Sequence, residues 1–477
     1  MRSRILAFAA VWATATCLAQ AAPVKPHLVI GPQATRAQAF GSFQDIFTCQ
    51  VGLFPGVACY DPFQMRHAYG TDTLIDAGFT GAGRTIVIVD AFQSPFLEDD
   101  LDAFDTNYGL PDRSTFFTQI APDGLTPFDY GDDNMIGWSA EITLDVEWAH
   151  AIAPDAKIVL VLAKTNDDVD ILSATKYAVD NRLGDVISMS FGENEGCVDP
   201  DLLAQQHELF AKATKKRITL IASSGDQGAA QKTCDGTSWT QAASSPASDP
   251  LVVAVGGTEL HAADYCFASL GCDPSVAPPP GEYGGEIVWS EFATDTEATG
   301  GGFSDEYREP SYQRGWVHHR GSHKGVPDVS YNAAIYHGVL VYWAGGVYLF
   351  GGTSAGSPQW AAITAIADEK AGRSLGFLNA SLYIDDDARR LYSRLYHDVT
   401  DGNNSVSEAD SSSNQVVVEG FEAGRRWDAT TGLGSPIAGK LVRHLTHTVS
   451  FDDAREAIEE SAPGRGGHHG HDHYRPH

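Results

Sequence analysis

Positive charge is scarce in this chain. Its 32 lysines and arginines face 62 aspartates and glutamates, a formal net charge of −30 at neutral pH. Such a surface repels phosphate backbones and anionic lipid, which argues against nucleic acid and acidic membranes as partners. It also loses self-repulsion as carboxylates take up protons, so mild acid need not harm it. Long apolar runs are missing as well. Beyond the N-terminus no stretch approaches the ~20 residues of a membrane span. Cysteine is sparse, at 7 residues, and no Cys-x-x-Cys occurs. That removes the usual dithiol redox and zinc motifs.

The apolar run that does occur lies at the start. Arg2 and Arg4 precede Ile5 to Leu18, and Ala19-Gln20-Ala21 follows. This pattern reads as a secretory signal over residues 1–22, and the chain as a soluble, secreted monomer. Cys17 falls inside it. In an oxidising compartment the other six cysteines form disulfides. The expected pairs are Cys49–Cys59, Cys266–Cys272 and Cys197–Cys234.

From Tyr60 onward, short continuous apolar runs alternate with amphipathic ones. Thr85–Val89, Ile158–Leu162, Val186–Ser190, Ile218–Ala222 and Leu251–Val255 read as strands. Pro95–Tyr108, Ser139–Ala153, Asp168–Asn181 and Asp201–Thr214 read as helices. Strands apolar on both faces, separated by helices, mean an α/β fold: a mostly parallel sheet with helices on both faces. Function then belongs at the carboxyl ends of the strands. Residues 23–47 read as a short irregular extension, 48–446 as the folded body, 264–297 as a surface insertion and 447–477 as a disordered, histidine-rich tail.

Three places carry chemistry. Gly351-Gly352-Thr353-Ser354-Ala355-Gly356-Ser357-Pro358 joins an apolar strand to a helix. Pro358 suits a first helical turn. Ser354 then sits at a helix N-terminus, where negative charge is stabilised and an acyl-transfer nucleophile is well placed. Glu141 and Asp145 lie four residues apart, on one helix face close to Leu144 and Trp148. Two carboxyls crowded against apolar surface hold one proton to higher pH, and such a pair can accept and return a serine proton. Asp226 follows the Ile218–Ala222 strand in a glycine-rich turn. If protonated, it can donate to an oxyanion.

Together these segments resemble the sedolisin family of serine-carboxyl peptidases, acid-acting relatives of subtilisin. The resemblance runs from about Tyr60 to His444. It also takes in Tyr60-Asp61-Pro62, Ser188-Met189-Ser190-Phe191-Gly192, Gly300-Gly301-Gly302-Phe303-Ser304 and Val326-Pro327-Asp328. It implies a subtilisin-like fold and cleavage of protein or peptide substrates. Ser354 would be nucleophile, Glu141 general base, Asp145 its orienting partner and Asp226 the oxyanion donor. Ser188–Gly192 would be the strand edge that pairs with substrate backbone. One structural calcium is implied too, held by the carboxylates of Asp398 and Asp428 and the carbonyls of Val399, Gly424 and Arg426. Arg426 stands where the family often has glycine, and Phe191 where some members carry tryptophan. Asp90, after the first strand, would extend the carboxyl network. Many members carry a long pro-domain, and residues 23–47 are short for one.

Two other readings compete. Gly352-x-Ser354-x-Gly356 is also the α/β-hydrolase elbow, with Asp398 and His444 following in the right order for a triad. The scaffold could also serve as a secreted binding protein without catalysis.

Overall fold

The computed structural model describes residues 23–37, 45–52, 56–291, 296–317, 323–383 and 391–461. The signal-like stretch 1–22 and the histidine-rich residues 462–477 lie outside the described residues.

The N-terminal strands are Lys25–Pro26 (β1) and Val29–Gln33 (β2). Next come Thr85–Ala91 (β3), Phe117–Ile120 (β4), Lys157–Ala163 (β5), Val186–Met189 (β6) and Phe191–Asn194 (β7). Thr219–Ser223 (β8), Val253–Ala262 (β9), Tyr283–Val288 (β10) and Val329–Asn332 (β11) follow. His337–Trp343 (β12) and Gly346–Gly351 (β13) form a hairpin. The main helices are Leu97–Tyr108 (α1), Asp133–Ile152 (α2), Asp168–Asn181 (α3), Pro200–Lys215 (α4), Gly356–Ala371 (α5), Ala438–Thr448 (α6) and Phe451–Glu460 (α7).

An eight-stranded sheet is the centre of the molecule, in the order β10-β9-β8-β6-β3-β5-β4, with β11 also paired to β9. Every pairing from β9 to β4 is parallel, as is β9–β11, while β10 runs antiparallel. The alternation along β3 shows why both faces must be covered. Ile86 and Ile88 join a core with Leu144, Trp148, Trp360 and Ile363. Val87 and Val89 join another with Ile171, Val179 and Phe210. Helices α2 and α5 thus close one face, α3 and α4 the other.

Helix α2 is buried all round. Every residue from Trp138 to Ile152 is inaccessible, Glu141 and Asp145 included. Each large apolar side chain there contributes about 1.5–3 kcal/mol, enough to hold a few carboxyls in the same interior. The helix begins at Asp133, six residues before the expected start. Asp132 caps it by accepting the N–H groups of Asn134 and Met135, a start signal the apolar pattern does not report.

The three expected disulfides are present. Three expectations need correction. Residues 23–33 are not an irregular extension but two strands, because the chain finds partners in β7 and β13. The end of the 264–297 insertion, β10, belongs to the central sheet, and Val288 and Trp289 are buried. The region after 446 is ordered through Glu460: α7 packs on α4 with Ala454 and Ala457 buried, and Glu460 accepts the Ser311 N–H. No helix among the described residues is long and apolar enough to cross a membrane.

Candidate active site

Strand β13 delivers the chain to a tight turn at Gly352, φ 96°. A 3-10 turn, Thr353–Ala355, leads into α5, with Pro358 in its first turn. Only a residue without Cβ fits here. A Cβ on Gly352 would lie 2.4 Å from the His27 carbonyl oxygen and 2.5 Å from Asp226 Oδ2. Ser354 is fully buried, and its Oγ donates to Glu141 Oε2 at 2.9 Å, with the Ser190 carbonyl 3.2 Å away.

Behind Glu141, Asp145 Oδ1 accepts from Ser190 Oγ at 2.8 Å, and Asp145 is also hydrogen-bonded to Glu141. Asp90, at the carboxyl end of β3, joins this pair; it is fully buried, and neither of its oxygens meets a donor among the described residues. Burial, then the charge of its neighbours, raises Glu141 and Asp90 well above the ordinary carboxyl range, and burial raises Asp145. The cluster therefore keeps a proton where isolated carboxyls have lost theirs. Its first ionisation leaves one charge shared over the group.

Asp226 lies just beyond β8. Its Oδ1 accepts the Thr353 N–H and the Thr353 Oγ–H, each at 2.8 Å. Its Oδ2 is buried and finds no donor. Burial pushes this carboxyl up to about 7, against the pull of the two Thr353 bonds. A proton on Oδ2 would make it a donor beside Gly352. Gly300 permits this arrangement, since a Cβ there would strike the Ser224 carbonyl at 2.2 Å. The turn thus joins a hydroxyl, a carboxyl acceptor and a separate carboxyl donor.

A subtilase-family model matches residues 130–381, which span α2, Asp226 and Ser354. The chain belongs to the subtilase family. This subtilase is 32% identical over 399 residues to kumamolisin of Bacillus sp. (strain MN-32), a match covering 82% of the chain and 64% of the relative. It is 29% identical over 385 residues to sedolisin of Pseudomonas sp. (strain 101), covering 78% and 60%. The chain thus spans under two thirds of the length of these curated relatives. The solved structure of Pseudomonas sedolisin, a serine-carboxyl proteinase complexed with two molecules of pseudo-iodotyrostatin, superposes with a TM-score of 0.67 at 28% identity. That match covers 83% of this chain and all of the sedolisin chain, and it shows the subtilisin-like fold.

The hydrolase-elbow triad is not assembled in the subtilase. His444 Nε2 meets the Ser381 carbonyl, Asp398 accepts from Tyr392, and the Ser354 hydroxyl is taken by Glu141. Chain order suggested the triad, but the sheet carries Ser354 to α2 instead.

Among the residues expected to hold calcium, two pairs are joined by hydrogen bonds. Asp398 Oδ1 accepts the Arg426 N–H at 2.7 Å, and Asp428 Oδ2 accepts the Gly424 N–H at 3.0 Å. Val399 is buried beside Asp398. Arg426 has φ 69°, the left-handed conformation that glycine adopts most easily. Two carboxylates and nearby carbonyls are hard oxygen donors, so this set fits a hard cation. Elsewhere, Glu259, His261 and His337 bring ligand atoms within 4.8 Å of one another.

Sequence patterns missed Ser190 and Thr353 as supports of the carboxyls. Both sit inside segments that stood out for other reasons, and their hydrogen bonds cross 45 and 127 residues of chain.

Proposed function

We propose that this subtilase is a secreted serine-carboxyl endopeptidase that cuts protein and peptide substrates in acid through an acyl-enzyme on Ser354. The observation that carries this reading is the 2.9 Å hydrogen bond from Ser354 Oγ to Glu141 Oε2, backed by Asp145. As the hydroxyl attacks a substrate carbonyl, Glu141 takes its proton. Before that transfer the cluster's charge rests on Glu141, and the proton-bearing Asp145 behind it stabilises that charge. The oxyanion is met by the Ser354 N–H and by protonated Asp226. Glu141 then protonates the leaving amine, and a water activated by the same carboxylate releases the acyl group. A histidine base would be protonated in acid, whereas a coupled carboxyl group still accepts. The likeness to kumamolisin and sedolisin supports this assignment.

The same reading includes a calcium ion on Asp398, Asp428 and the carbonyls of Val399, Gly424 and Arg426. When bound it offsets two carboxylates and stiffens the loop.

The test is the rate of hydrolysis of a denatured protein against pH, for wild type and Ser354→Ala. Wild type peaks in acid, and the variant falls by at least about 10⁴-fold. An alkaline optimum, or hydrolysis retained by the variant, removes the assignment.

A further inference from the structure

Near the end of β9, Glu259 and His261 stand two residues apart and so project from one face of the strand, while Leu260 between them is fully buried. The start of β12 is fastened to the same place. Asn332 Oδ1 accepts the Leu260 N–H at 3.0 Å, and its Nδ2 donates to the His337 carbonyl at 2.8 Å. Tyr60 Oη donates to the Leu260 carbonyl at 2.7 Å and accepts the Ala262 N–H at 3.1 Å. This backbone frame sets His337 beside Glu259 and His261. One ligand atom from each of the three lies within 4.8 Å of the other two.

The spacing does not suit a simple ion-pair cluster. His261 Nε2 is 3.3 Å from Glu259 Oε1, and His337 Nδ1 is 3.7 Å from the same oxygen. Both are longer than an ordinary N–H···O bond of about 2.7–3.2 Å. Ligand atoms that each sit about 2.0–2.1 Å from a tetrahedral ion are about 3.3 Å from one another. His337 Nδ1 donates instead to the Leu260 carbonyl at 3.0 Å. That bond leaves the lone pair of the neutral ring on Nε2, and a backbone carbonyl is a common outer support of a metal-binding histidine. The His261 ring stands edge-on to the His337 ring, with centroids 4.7 Å apart, and its side chain is 48% exposed. It has room to turn inward onto an ion. The surroundings are acidic. Glu259 and Glu286 act on His261, and Asp264, whose Oδ1 is buried without a donor among the described residues, faces the charge of His337. Such a field favours a cation.

We propose that Glu259, His261 and His337 bind one divalent transition metal of the zinc class, which clips the end of β9 to the start of β12. Two imidazoles and one carboxylate suit Zn²⁺, Ni²⁺ or Cu²⁺ and suit Ca²⁺ or Mg²⁺ poorly, since those hard ions take oxygen ligands. The set therefore differs in kind from the all-oxygen donors of the Asp398–Asp428 loop. With three protein ligands, and His261 open to solvent, water fills the fourth position. Strand β12 continues through its hairpin with β13 into the turn that carries Ser354. The ion would brace that element against the central sheet.

The experiment uses the full-length chain with the tail residues His468, His469, His471, His473 and His477 replaced by Ala, so that the tail takes up no metal. The protein is stripped with chelator, returned to excess Ca²⁺ at neutral pH and titrated with zinc chloride by equilibrium dialysis. Its thermal midpoint is read in parallel. The expected result is one zinc per chain, not displaced by the calcium, and a midpoint that rises with zinc. Glu259→Gln and His261→Ala change side chains at the surface of the frame, so each keeps the metal-free midpoint of the parent. Each binds zinc at least about 100-fold more weakly and loses the rise, because even outer-shell changes cost about 10–100-fold. A parent that binds no zinc, zinc that calcium displaces, or zinc held equally well by both variants overturns the proposal.

Discussion

Asp226 holds its two oxygens in different company: Oδ1 is bonded twice by Thr353, while Oδ2 is buried without a donor. In the oxyanion role proposed for it, Asp226 works only with a proton on Oδ2. Its pKa, raised to about 7 by burial, therefore sets an alkaline limb on the rate, which falls as pH climbs through that value. In Asp226→Asn the amide oxygen still accepts from Thr353 and the amide nitrogen takes the place of Oδ2. The donor then no longer titrates, so the alkaline limb moves to higher pH. Asp226→Ala removes the donor and costs about 10²–10³ in kcat at every pH. Identical pH profiles for wild type and the Asn variant would sink this role. With Glu141 as the proposed base, the neighbouring cluster sets the acid limb, since Glu141 must lose its proton before it can accept one.

The strand–turn–helix element from β13 to α5 depends on a single backbone conformation. Gly352→Ala asks an L residue to adopt φ 96° and forces a methyl against the His27 carbonyl, the Leu28 Cα and Asp226 Oδ2. The strain amounts to about 1–3 kcal/mol. We expect a lower denaturant midpoint together with reduced turnover, because relief of the clash moves Ser354 away from Glu141. A variant with unchanged midpoint and rate would show that the turn relaxes freely. Helix α2 shows the converse: its wholly buried surface leaves Glu141 and Asp145 little freedom to move.

Titration of the whole molecule favours acid. Burial raises Asp105 to about 8, Glu195 to about 7 and Asp226 to about 7. Each carboxyl titrates near 4 in the unfolded chain. Its contribution to stability is complete below that value and is lost as pH rises to the folded pKa. The most strongly shifted histidines act oppositely: burial lowers His27 to about 4 and His150 to about 3. Their contribution is complete above about 6.5 and is lost as pH falls through the folded values. The carboxyls outnumber them, so the thermal midpoint at pH 5 exceeds that at pH 8; scanning calorimetry that finds the reverse order contradicts this balance. At the same scale, a chelator is expected to lower the midpoint by a few degrees if calcium holds the Asp398–Asp428 loop. Protein that carries no metal on purification and is indifferent to chelator removes the ion.

Local chemistry made much of this molecule legible. The continuous apolar runs of β3, β5, β6 and β8 are strands because only a sheet covered on both faces buries them. The four-residue spacing of Glu141 and Asp145 put both on one helix face, and the glycines around Ser354 and Asp226 marked backbone that must turn sharply. What remained hidden was pairing at long range. Nothing in Val24-Lys25-Pro26-His27-Leu28-Val29 shows periodicity, since β1 and β2 each satisfy their backbone against strands more than 160 residues away. Ser190 and Thr353 are ordinary residues until the sheet brings them to Asp145 and Asp226. The sequence by itself determined the layers and the reactive residue types, because burial and turn geometry act over a few residues. Only the tertiary structure decided which carboxyl meets which hydroxyl, and that β1 and β2 pair with β7 and β13, because those contacts form when distant strands meet.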